Sequence, residues 1–558
     1  MLVAVVAGEG GAGVLCPLRS DGQCAGPPEP VTDLATAVAA REAQDRPRWV
    51  WASGATLYPS LLRAGVRVER CHDVELTESL LLGHAGRWGE PRSLAAAWAR
   101  LTGAPVPPDP PPRAAAPPGA GQAALFEAVP GPPGPGITAL TRVYADQLDR
   151  IAATGHPGRF RLLVAAESAG VLIAAEMGAA GLPWRADVHD TILTELLGEP
   201  SPVGGPPRRL AELAARIAEA FGVRQLHADS PAELLRAFSR AGIDLPNTRS
   251  WVLRGVDHPA VPLVLEYKEL YRIWTAHGWA WRDAWVRDGR FQPEYVPAGV
   301  VSGRWATRGG GALQIPKVIR RAVVADPGWR FVVADAGQLE PRVLAAVSGD
   351  GGLARAGATG DLYAALARDA FGGDRGRAKL ALLGAMYGQT GGAAVPALAV
   401  LRRNYPTAFG YVEAAARTGE AGGLVRSWLG RTCPPGTAGF ATDEGPVDPD
   451  AAGDPQSPRA RAARSRGRFT RNFVIQATAA EWASTLLAVL RGELAGTEAE
   501  LVFFQHDEVI VHCPAEQAET VAEAVQRAGR QATALLFGDT PVRFPLDLSI
   551  VESYADAA

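Results

Sequence analysis

The stretch GAPVPPDPPPRAAAPPGAGQAALFEAVPGPPGPG, from Gly103 to Gly136, constrains this chain more than any other. Proline fixes φ and carries no amide donor, so a segment this rich in it enters neither a helix interior nor a central strand. It reads as a semi-rigid linker. One core cannot run through it, and 558 residues exceed what a single core organises in any case. The expected division is an α/β unit at 1–102, the linker at 103–136 and a mostly helical region at 137–285, with further strands and helices beyond it.

Local patterns fill in these units. VAVVA, GVLCPL and RPRWVW predict short strands near the start. ITALTRVYADQLDRIAA and RRLAELAARIAEAFG carry apolar residues at three- and four-residue spacing, the period of a helix. Residues 329–350 read strand then helix, and 375–400 and 472–495 read as long helices. Residues 435–467, rich in Gly, Pro and Asp and then in Arg, read as an insertion or mobile loop. There is no internal repeat.

Hydrophobic content of 47% and charged content of 21% are those of a soluble globular protein. No apolar run in the sequence approaches the length of a membrane span. The opening MLVAVVAGEGG lacks the basic flank of a signal peptide and reads as a first strand. The five cysteines, Cys16, Cys24, Cys71, Cys433 and Cys513, form no CxxC pair, so neither a zinc site nor a disulfide framework is expected. A reducing cytoplasm fits. A net charge of −3 provides no global electrostatic footprint for nucleic acid, so any such binding must come from local basic clusters.

FFQHDEVIVHCP, Phe503 to Pro514, places His506, Asp507 and Glu508 between two greasy runs. One reading is a hairpin whose polar turn is simply solvated. The other is that the turn holds a divalent metal, since Mg²⁺ is bound by one or two carboxylates plus substrate phosphates. That second reading needs a partner acid. Asp335 in WRFVVADAGQLEPRVLAA sits at the end of a buried strand and before a helix with Pro341 in its first turn. It could instead cap that helix. Two acids at neighbouring strand ends would suit a two-metal site for in-line phosphoryl displacement. In DRGRAKLALLGAMYGQTGG, Arg375, Lys379, Leu383 and Tyr387 fall at four-residue steps. On a helix they make one drifting stripe about 18 Å long, two cations, then apolar, then aromatic. That order suits a nucleoside triphosphate. A solvated amphipathic helix explains the cations but gives no reason for the Tyr-Gly ending.

These segments together resemble motifs A, B and C of family A DNA polymerases, the bacterial polymerase I type. DAGQLEPR, Asp335 to Arg342, is similar to the family's DYSQIELR. RGRAKLALLGAMYG, Arg375 to Gly388, is similar to RxxxKxxxFGxxYG, and QHDE, Gln505 to Glu508, to VHDE. SGRWATRGGGALQIP (Ser302 to Pro316), VRSWLGRTCPP (Val425 to Pro435) and RFTRNFVIQATAAE (Arg468 to Glu481) resemble further family segments, all in family order over about residues 150–558. The resemblance implies an α/β multidomain chain. An RNase H-like, exonuclease-type domain would occupy 1–102, a thumb-type helical region 137–300, and palm and fingers 301–558. The implied activity is template-directed DNA polymerisation.

Under that resemblance Asp335 and Asp507 would hold two Mg²⁺ ions, with Glu508 supporting the site. Arg375 and Lys379 would bind the triphosphate, with Lys379 a proton donor to the leaving group. Leu383, Tyr387 and Gln338 would lie about the incoming nucleotide, and Glu340 would be the steric gate against a ribose 2′-hydroxyl. Arg304, Gln314, Arg468, Asn472, Gln476 and His506 would contact primer-template DNA. Lys268 and Arg272, in LEYKELYRIW, would touch phosphates from a thumb helix. The implied partners are primer-template DNA and deoxynucleoside triphosphates, bound by a monomer in the cytoplasm at the nucleoid, with no membrane.

Departures from the family pattern stand beside these matches. Leu383 replaces a Phe, Ala336 and Gly337 replace Tyr-Ser, and Ala477 and Glu481 replace Gly and Asp. At the other end, RWVWASGATLYPSLLRAGVRVERCHDVELTESLLLG, Arg48 to Gly83, resembles the middle of the family's 3′–5′ exonuclease, with Asp73 at a strand end. Its DxE is missing, only VAVVAGEGG standing there, and no YxxxD pair follows between Leu94 and Gly103. The expectation is a structural domain that does not proofread. The competing one is that Glu9 or Glu75 substitutes. No 5′-nuclease unit is expected ahead of it. The other readings are a polymerase-like protein that binds primer-template junctions without extending them, and a working exonuclease with a helper polymerase domain.

Overall fold

The computed structural model describes residues 1–111, 136–201, 204–308, 315–388, 394–435 and 458–557. The greater part of the Pro-rich linker lies outside them. The first sheet consists of β1 (Leu2–Ala7), β2 (Gly13–Leu18), β3 (Glu29–Val31), β4 (Arg48–Trp51) and β5 (Arg70–Asp73), in the order β3-β2-β1-β4-β5. The first three strands pair antiparallel, while β4 and β5 join parallel. Parallel pairing needs a crossover. The Leu34–Asp45 helix provides it, started by Asp33, whose carboxylate accepts from the Thr36 amide at 3.1 Å.

The Ile137–Ala152 helix lies beyond the linker in sequence, yet it packs on this first sheet. Leu140, Val143 and Tyr144 share a core with Ala4, Cys16 and Val50. The Pro157–Ala180 helix is wedged between two sheets: Leu172 sits in the first sheet's core, while Phe160, Leu163 and Ile173 face the second. A helix covered on several sides has to be apolar all round. Its 18-residue window has a mean hydropathy of 1.6, and a window within Arg461–Glu493 reaches 1.4. So among the described residues two helices are long and apolar enough to cross a membrane, contrary to the sequence expectation. Their windows are 61% and 83% buried by the protein's own packing, as core helices are.

The second sheet comprises β6 (Trp329–Ala336), β7 (Glu500–Gln505), β8 (Glu508–Pro514) and β9 (Leu546–Val551), ordered β7-β8-β6-β9 and antiparallel throughout. It is buried on both faces. Phe331, Val333, Phe503 and Ile510 point into a core shared with the helices of 186–285, through Leu193, Leu213, Phe238 and Val264. Val332, Ala334, Val509 and Val511 point the other way, toward the Pro458–Glu493 and Ala518–Phe537 helices. Alternation along a strand sends successive side chains to opposite faces, so two covered faces demand a continuous apolar run. Phe331 and Phe503 are 0% exposed; each such side chain stabilises by about 1.5–3 kcal/mol.

Two expected long helices have different bounds. Residues 375–400 are broken after Arg375–Tyr387 because Gly388 takes the left-handed conformation at φ 69°, and a separate helix, Ala394–Asn404, follows. That C-cap is the structural reason for the Tyr-Gly ending. The helix expected at 472–495 begins at Pro458 instead. The Arg-rich end of 435–467 is thus helix, as its Ala and Arg content favours and its first-turn proline permits. Residues 436–457 of that segment lie outside the described residues.

The first sheet is tied to the second unit by buried charge. Arg491, on the Pro458–Glu493 helix, donates to Glu176 at 2.7 Å and to the carbonyls of Val68 and Glu69. Tyr58 and Arg67 donate to the same carboxylate.

Candidate active site

Asp507 and His506 are the two loop residues of the β7–β8 hairpin, since Gln505 pairs with Glu508. His506 has φ 56°, the sign that a tight two-residue hairpin requires at its first position. The Asp507 carbonyl accepts from the Ala336 amide at 3.1 Å, which locks the turn against the end of β6. In register, Asp335 faces Glu508 on β8 and Asp547 on β9. The helix after β6 is Leu339–Val347, with Gln338 at its N-cap position and no side-chain cap. Asp335 therefore does not cap it.

Four carboxylates crowd this sheet end. The Asp335 carboxyl is pushed up to about 7, first by burial and then by Asp507, Glu508 and Asp547. The Asp507 carboxyl rises to about 6, chiefly by burial, with Arg304 opposing the shift. Glu508 is held to one side: its carboxylate accepts from the Tyr554 hydroxyl at 2.8 Å and faces Arg320 at 3.8 Å. Arg320 in turn lies over the Tyr554 ring, 4.1 Å from its centroid. Negative charge held at such a cost is what a divalent cation relieves. Among the described residues no group of three or more His, Cys, Asp or Glu side chains is placed to hold a metal ion by itself. Hard oxygens that leave positions open suit Mg²⁺, which completes its shell with water and substrate phosphate.

A cleft of about 260 Å³ opens beside Asp507, lined by Arg304, Glu340, Tyr387, His506 and the small residues Ala479 and Ala480. Glu340 organises it. One carboxylate oxygen accepts from Arg304 at 2.6 Å and the other from the Tyr387 hydroxyl at 2.6 Å. Burial and Glu340 raise the Tyr387 phenol, so it remains a donor at neutral pH. Leu383 is half-buried against the core, one turn before Tyr387, while Lys379 is exposed.

Arg375 is exposed at the start of its helix and pairs with Asp361 at 2.8 Å. Asp361 also accepts from Gln338 at 2.9 Å and caps the Leu362–Ala370 helix at the Ala364 amide. These bonds hold its carboxyl at about 2 against the pull of burial. Gln338 accepts in turn from the Leu362 amide at 2.9 Å and also lines the cleft. Arg468, Asn472 and Gln476 form one stripe on the Pro458–Glu493 helix that runs toward Ala479 and Ala480. The Asn472 side-chain oxygen there is buried without a hydrogen-bond partner. Arg272 is exposed on the Ala260–His277 helix. Lys268, one turn earlier, is committed inward: its ammonium donates to the Thr248 carbonyl and, at 3.0 Å, to the Thr248 hydroxyl. Gln314 lies outside the described residues.

Asp547, Asp361 and Tyr554 are site residues that the sequence reading missed. LDLSIV does alternate like a strand, and Asp361 does precede an apolar helix as an N-cap would. Neither pattern tells which other strand or side chain it meets.

At the end of β5 in the first sheet, Asp73 and Glu75 lie close together, with Asp109 near them. Asp73 is 1% exposed, and both its oxygens are used: they accept from the amides of Leu76 at 2.9 Å and Gly54 at 2.7 Å. Where the resemblance would place DxE, β1 offers Val3, Ala4 and Val5, all buried. Glu75 lies near Asp73 and is raised to about 7 mainly by burial, and Glu9 is exposed in the β1–β2 turn.

The model of DNA polymerase family A matches residues 207–556. The chain belongs to DNA polymerase family A. It is 29% identical over 318 residues to "DNA polymerase I, thermostable" of Thermus filiformis, an alignment covering 53% of this chain and 36% of that protein. It is 27% identical over 322 residues to DNA polymerase I of Chloroflexus aurantiacus, covering 52% of this chain and 32% of the relative. The matched stretch thus spans only about a third of those relatives. In fold the chain is similar to the POL domain of Pol1 from M. smegmatis, solved in complex with DNA primer-template and dNTP. The TM-score is 0.69 at 18% identity, covering 100% of this chain and 95% of that one.

Proposed function

We propose that this protein is a template-directed DNA polymerase that extends a primer 3′-hydroxyl with deoxynucleoside triphosphates. The observation that carries the reading is the convergence of Asp335, on β6, and Asp507, in the β7–β8 turn, beside a cleft bounded by Glu340 and Tyr387. Two Mg²⁺ ions held by Asp335 and Asp507 would supply the charge that activates the attacking oxygen and steadies the leaving pyrophosphate. The chain's own side chains do the rest. Arg375 and Lys379 face the triphosphate, and Lys379 gives a proton to the departing oxygen. Tyr387 covers the nascent base pair. Arg468, Asn472, Gln476 and His506 track the duplex through phosphates and the nearly sequence-independent minor groove. Arg272 suits a phosphate contact better than Lys268, whose ammonium Thr248 already holds.

The test is a labelled primer-template incubated with Mg²⁺ and deoxynucleotides. Lengthening that is lost in Asp507→Ala is expected. Binding without lengthening would move the protein to the class that holds junctions but does not extend them.

We further propose that the domain built on the first sheet is a structural, exonuclease-like element that does not proofread. The commitment of Asp73 to two amides and the apolar β1 support this, as does the strand order of the sheet. A primer with a mismatched 3′ end should keep its length when nucleotides are left out; shortening there would sink this part alone.

Glu340 is proposed as the gate against ribonucleotides. Glu340→Ala opens space and releases both Arg304 and Tyr387. Ribonucleotide incorporation relative to deoxynucleotide should rise on the order of 10- to 100-fold. An unchanged ratio in single-turnover assays would assign Glu340 to holding Tyr387 only. Leu383 gives a further comparison. Leu383→Phe places a flat ring where a branched aliphatic side chain packs, and the ratio of dideoxy- to deoxynucleotide incorporation should shift by roughly threefold or more. Identical ratios would count against any contact between this position and the incoming sugar.

A further inference from the structure

We infer that Cys16 and Cys24 form a reversible intramolecular disulfide, a redox-modification site on the first sheet that responds to small disulfides of the glutathione type. The sequence offered no CxxC pattern, yet the fold brings these two thiols together with their Sγ atoms 2.8 Å apart. Cys16 is central in β2 and 0% exposed. The chain then turns back on itself. The Arg19 amide donates to the Gln23 carbonyl at 2.9 Å, the Gly22 amide to Arg19 at 3.0 Å, and the Ala25 amide to Pro17 at 2.8 Å. Leu18 and Cys24 are bridged across the turn. Gly22 makes it possible at φ 81°, close against Tyr144 and Ala145 of the Ile137–Ala152 helix. Backbone bonds thus hold the thiols in place before any oxidation, so bond formation requires little movement. The other three cysteines are buried singly: Cys71 donates to the Ser168 carbonyl, Cys513 to Arg330, and Cys433 lies against Arg466.

The pair is asymmetric, which sets the order of events. Cys24 is partly exposed. Burial and the neighbouring Cys24 push the Cys16 thiol up to about 12. The Cys24 thiolate attacks one sulfur of the small disulfide, forming a Cys24 mixed disulfide and expelling one small thiolate. Cys16 then gives up its proton and attacks the Cys24 sulfur, expelling the second. Two protein thiols are oxidised, one small disulfide is reduced to two small thiols, and the two protons end on them. Inside a reducing cell such bonds are transient and act as sensors.

The full chain is equilibrated with glutathione at graded ratios of oxidised to reduced form, acid-quenched, denatured, alkylated and mapped by mass. Expected is a Cys16–Cys24 cross-link that has lost two hydrogens, with Cys71, Cys433 and Cys513 alkylated. Cys16→Ser should stop at glutathione on Cys24, and Cys24→Ser should leave Cys16 unmodified. A second measurement needs no variant. Trypsin cuts after Arg19, whose side chain is 59% exposed in the turn. The two pieces should stay joined on a gel of the oxidised protein and part on reduction. Wild-type chain that accumulates glutathione on Cys24 without a cross-link, or alkylates at both positions in fully oxidised glutathione, would overturn the inference.

Discussion

Asp335→Asn is expected to abolish primer extension and, in the absence of metal, to make the protein more stable above neutral pH. Both effects have one cause. Asp335 stands among Asp507, Glu508 and Asp547, and its carboxyl is raised from 3.8 to about 7 by burial and by them. Between about pH 4 and 7 the folded chain keeps a proton that the unfolded chain has released. Stability from this group therefore falls as pH rises through that window, and the full penalty stands above pH 7. The amide removes it. Asp335 retains contact with solvent, so screening limits the gain to about 1–2 kcal/mol. His72, His189, His277 and His512, each lowered to about 4 mainly by burial, act in the opposite sense below about pH 6.5. The difference between variant and wild type cancels them. Thermal melts in chelator should therefore show a gap that is small at pH 4 and widest at pH 8.

Mg²⁺ should raise the wild-type melting temperature at pH 8, less so at pH 5.5, where the proton competes, and leave Asp335→Asn nearly unmoved. Loss of a metal-binding carboxylate should cost several kcal/mol of transition-state stabilisation, on the order of 10³-fold or more in rate. A variant that extends primers at the wild-type rate, or that melts below wild type in chelator at pH 8, would remove Asp335 from the proposed metal site.

Arg342→Ala should be among the most destabilising single substitutions in the chain. Arg342 is 0% exposed. Its guanidinium donates to the carbonyls of Gly337 at 3.0 Å, Gly357 at 2.9 Å, Thr359 at 3.1 Å, Gly360 at 2.6 Å and Arg543 at 2.8 Å, and to Gln338 at 3.3 Å. Burial pulls its pKa down, with Asp361 and Asp547 opposing. Three parts of the site meet at this one side chain: the end of β6, the loop before the Leu362–Ala370 helix, and the run into β9 that carries Asp547. Truncation leaves a cavity and several buried carbonyls without donors, about 3–5 kcal/mol. Lysine cannot replace a planar fork of five donors, so Arg342→Lys should recover less than half of that loss. Urea unfolding measures it, as a lowered midpoint at unchanged slope. An unfolding free energy within about 0.5 kcal/mol of wild type would show that water replaces these bonds at no cost.

Much of this site was legible in the sequence because its parts are local. Strand followed by acid, acid within a tight turn, and cation-cation-apolar-aromatic spacing on a helix are each contained in a short window, where pleat and helical pitch fix the outcome. The apolar runs on either side of QHDE were legible as strands for the same reason. Local period also misled. It joined Arg375–Tyr387 to Ala394–Asn404 across Gly388, because periodicity persists through a left-handed cap that only backbone geometry reveals. It placed the Ile137–Ala152 helix with the helices that follow it, because an apolar stripe does not say which surface will cover it.

By itself the sequence determined the strand ends that carry Asp335 and Asp507, and the helix that carries Arg375 to Tyr387. These depend on a pleat's alternation and a helix's rise. Only the tertiary structure decided that Asp547 lies beside Asp335, that Glu340 holds both Arg304 and Tyr387, that Arg342 gathers five carbonyls, and that Cys16 meets Cys24. Each of these is a contact between segments distant in the chain or across an unmarked turn. Such contacts are set by strand order and by which apolar faces bury one another, and no window of residues contains that information.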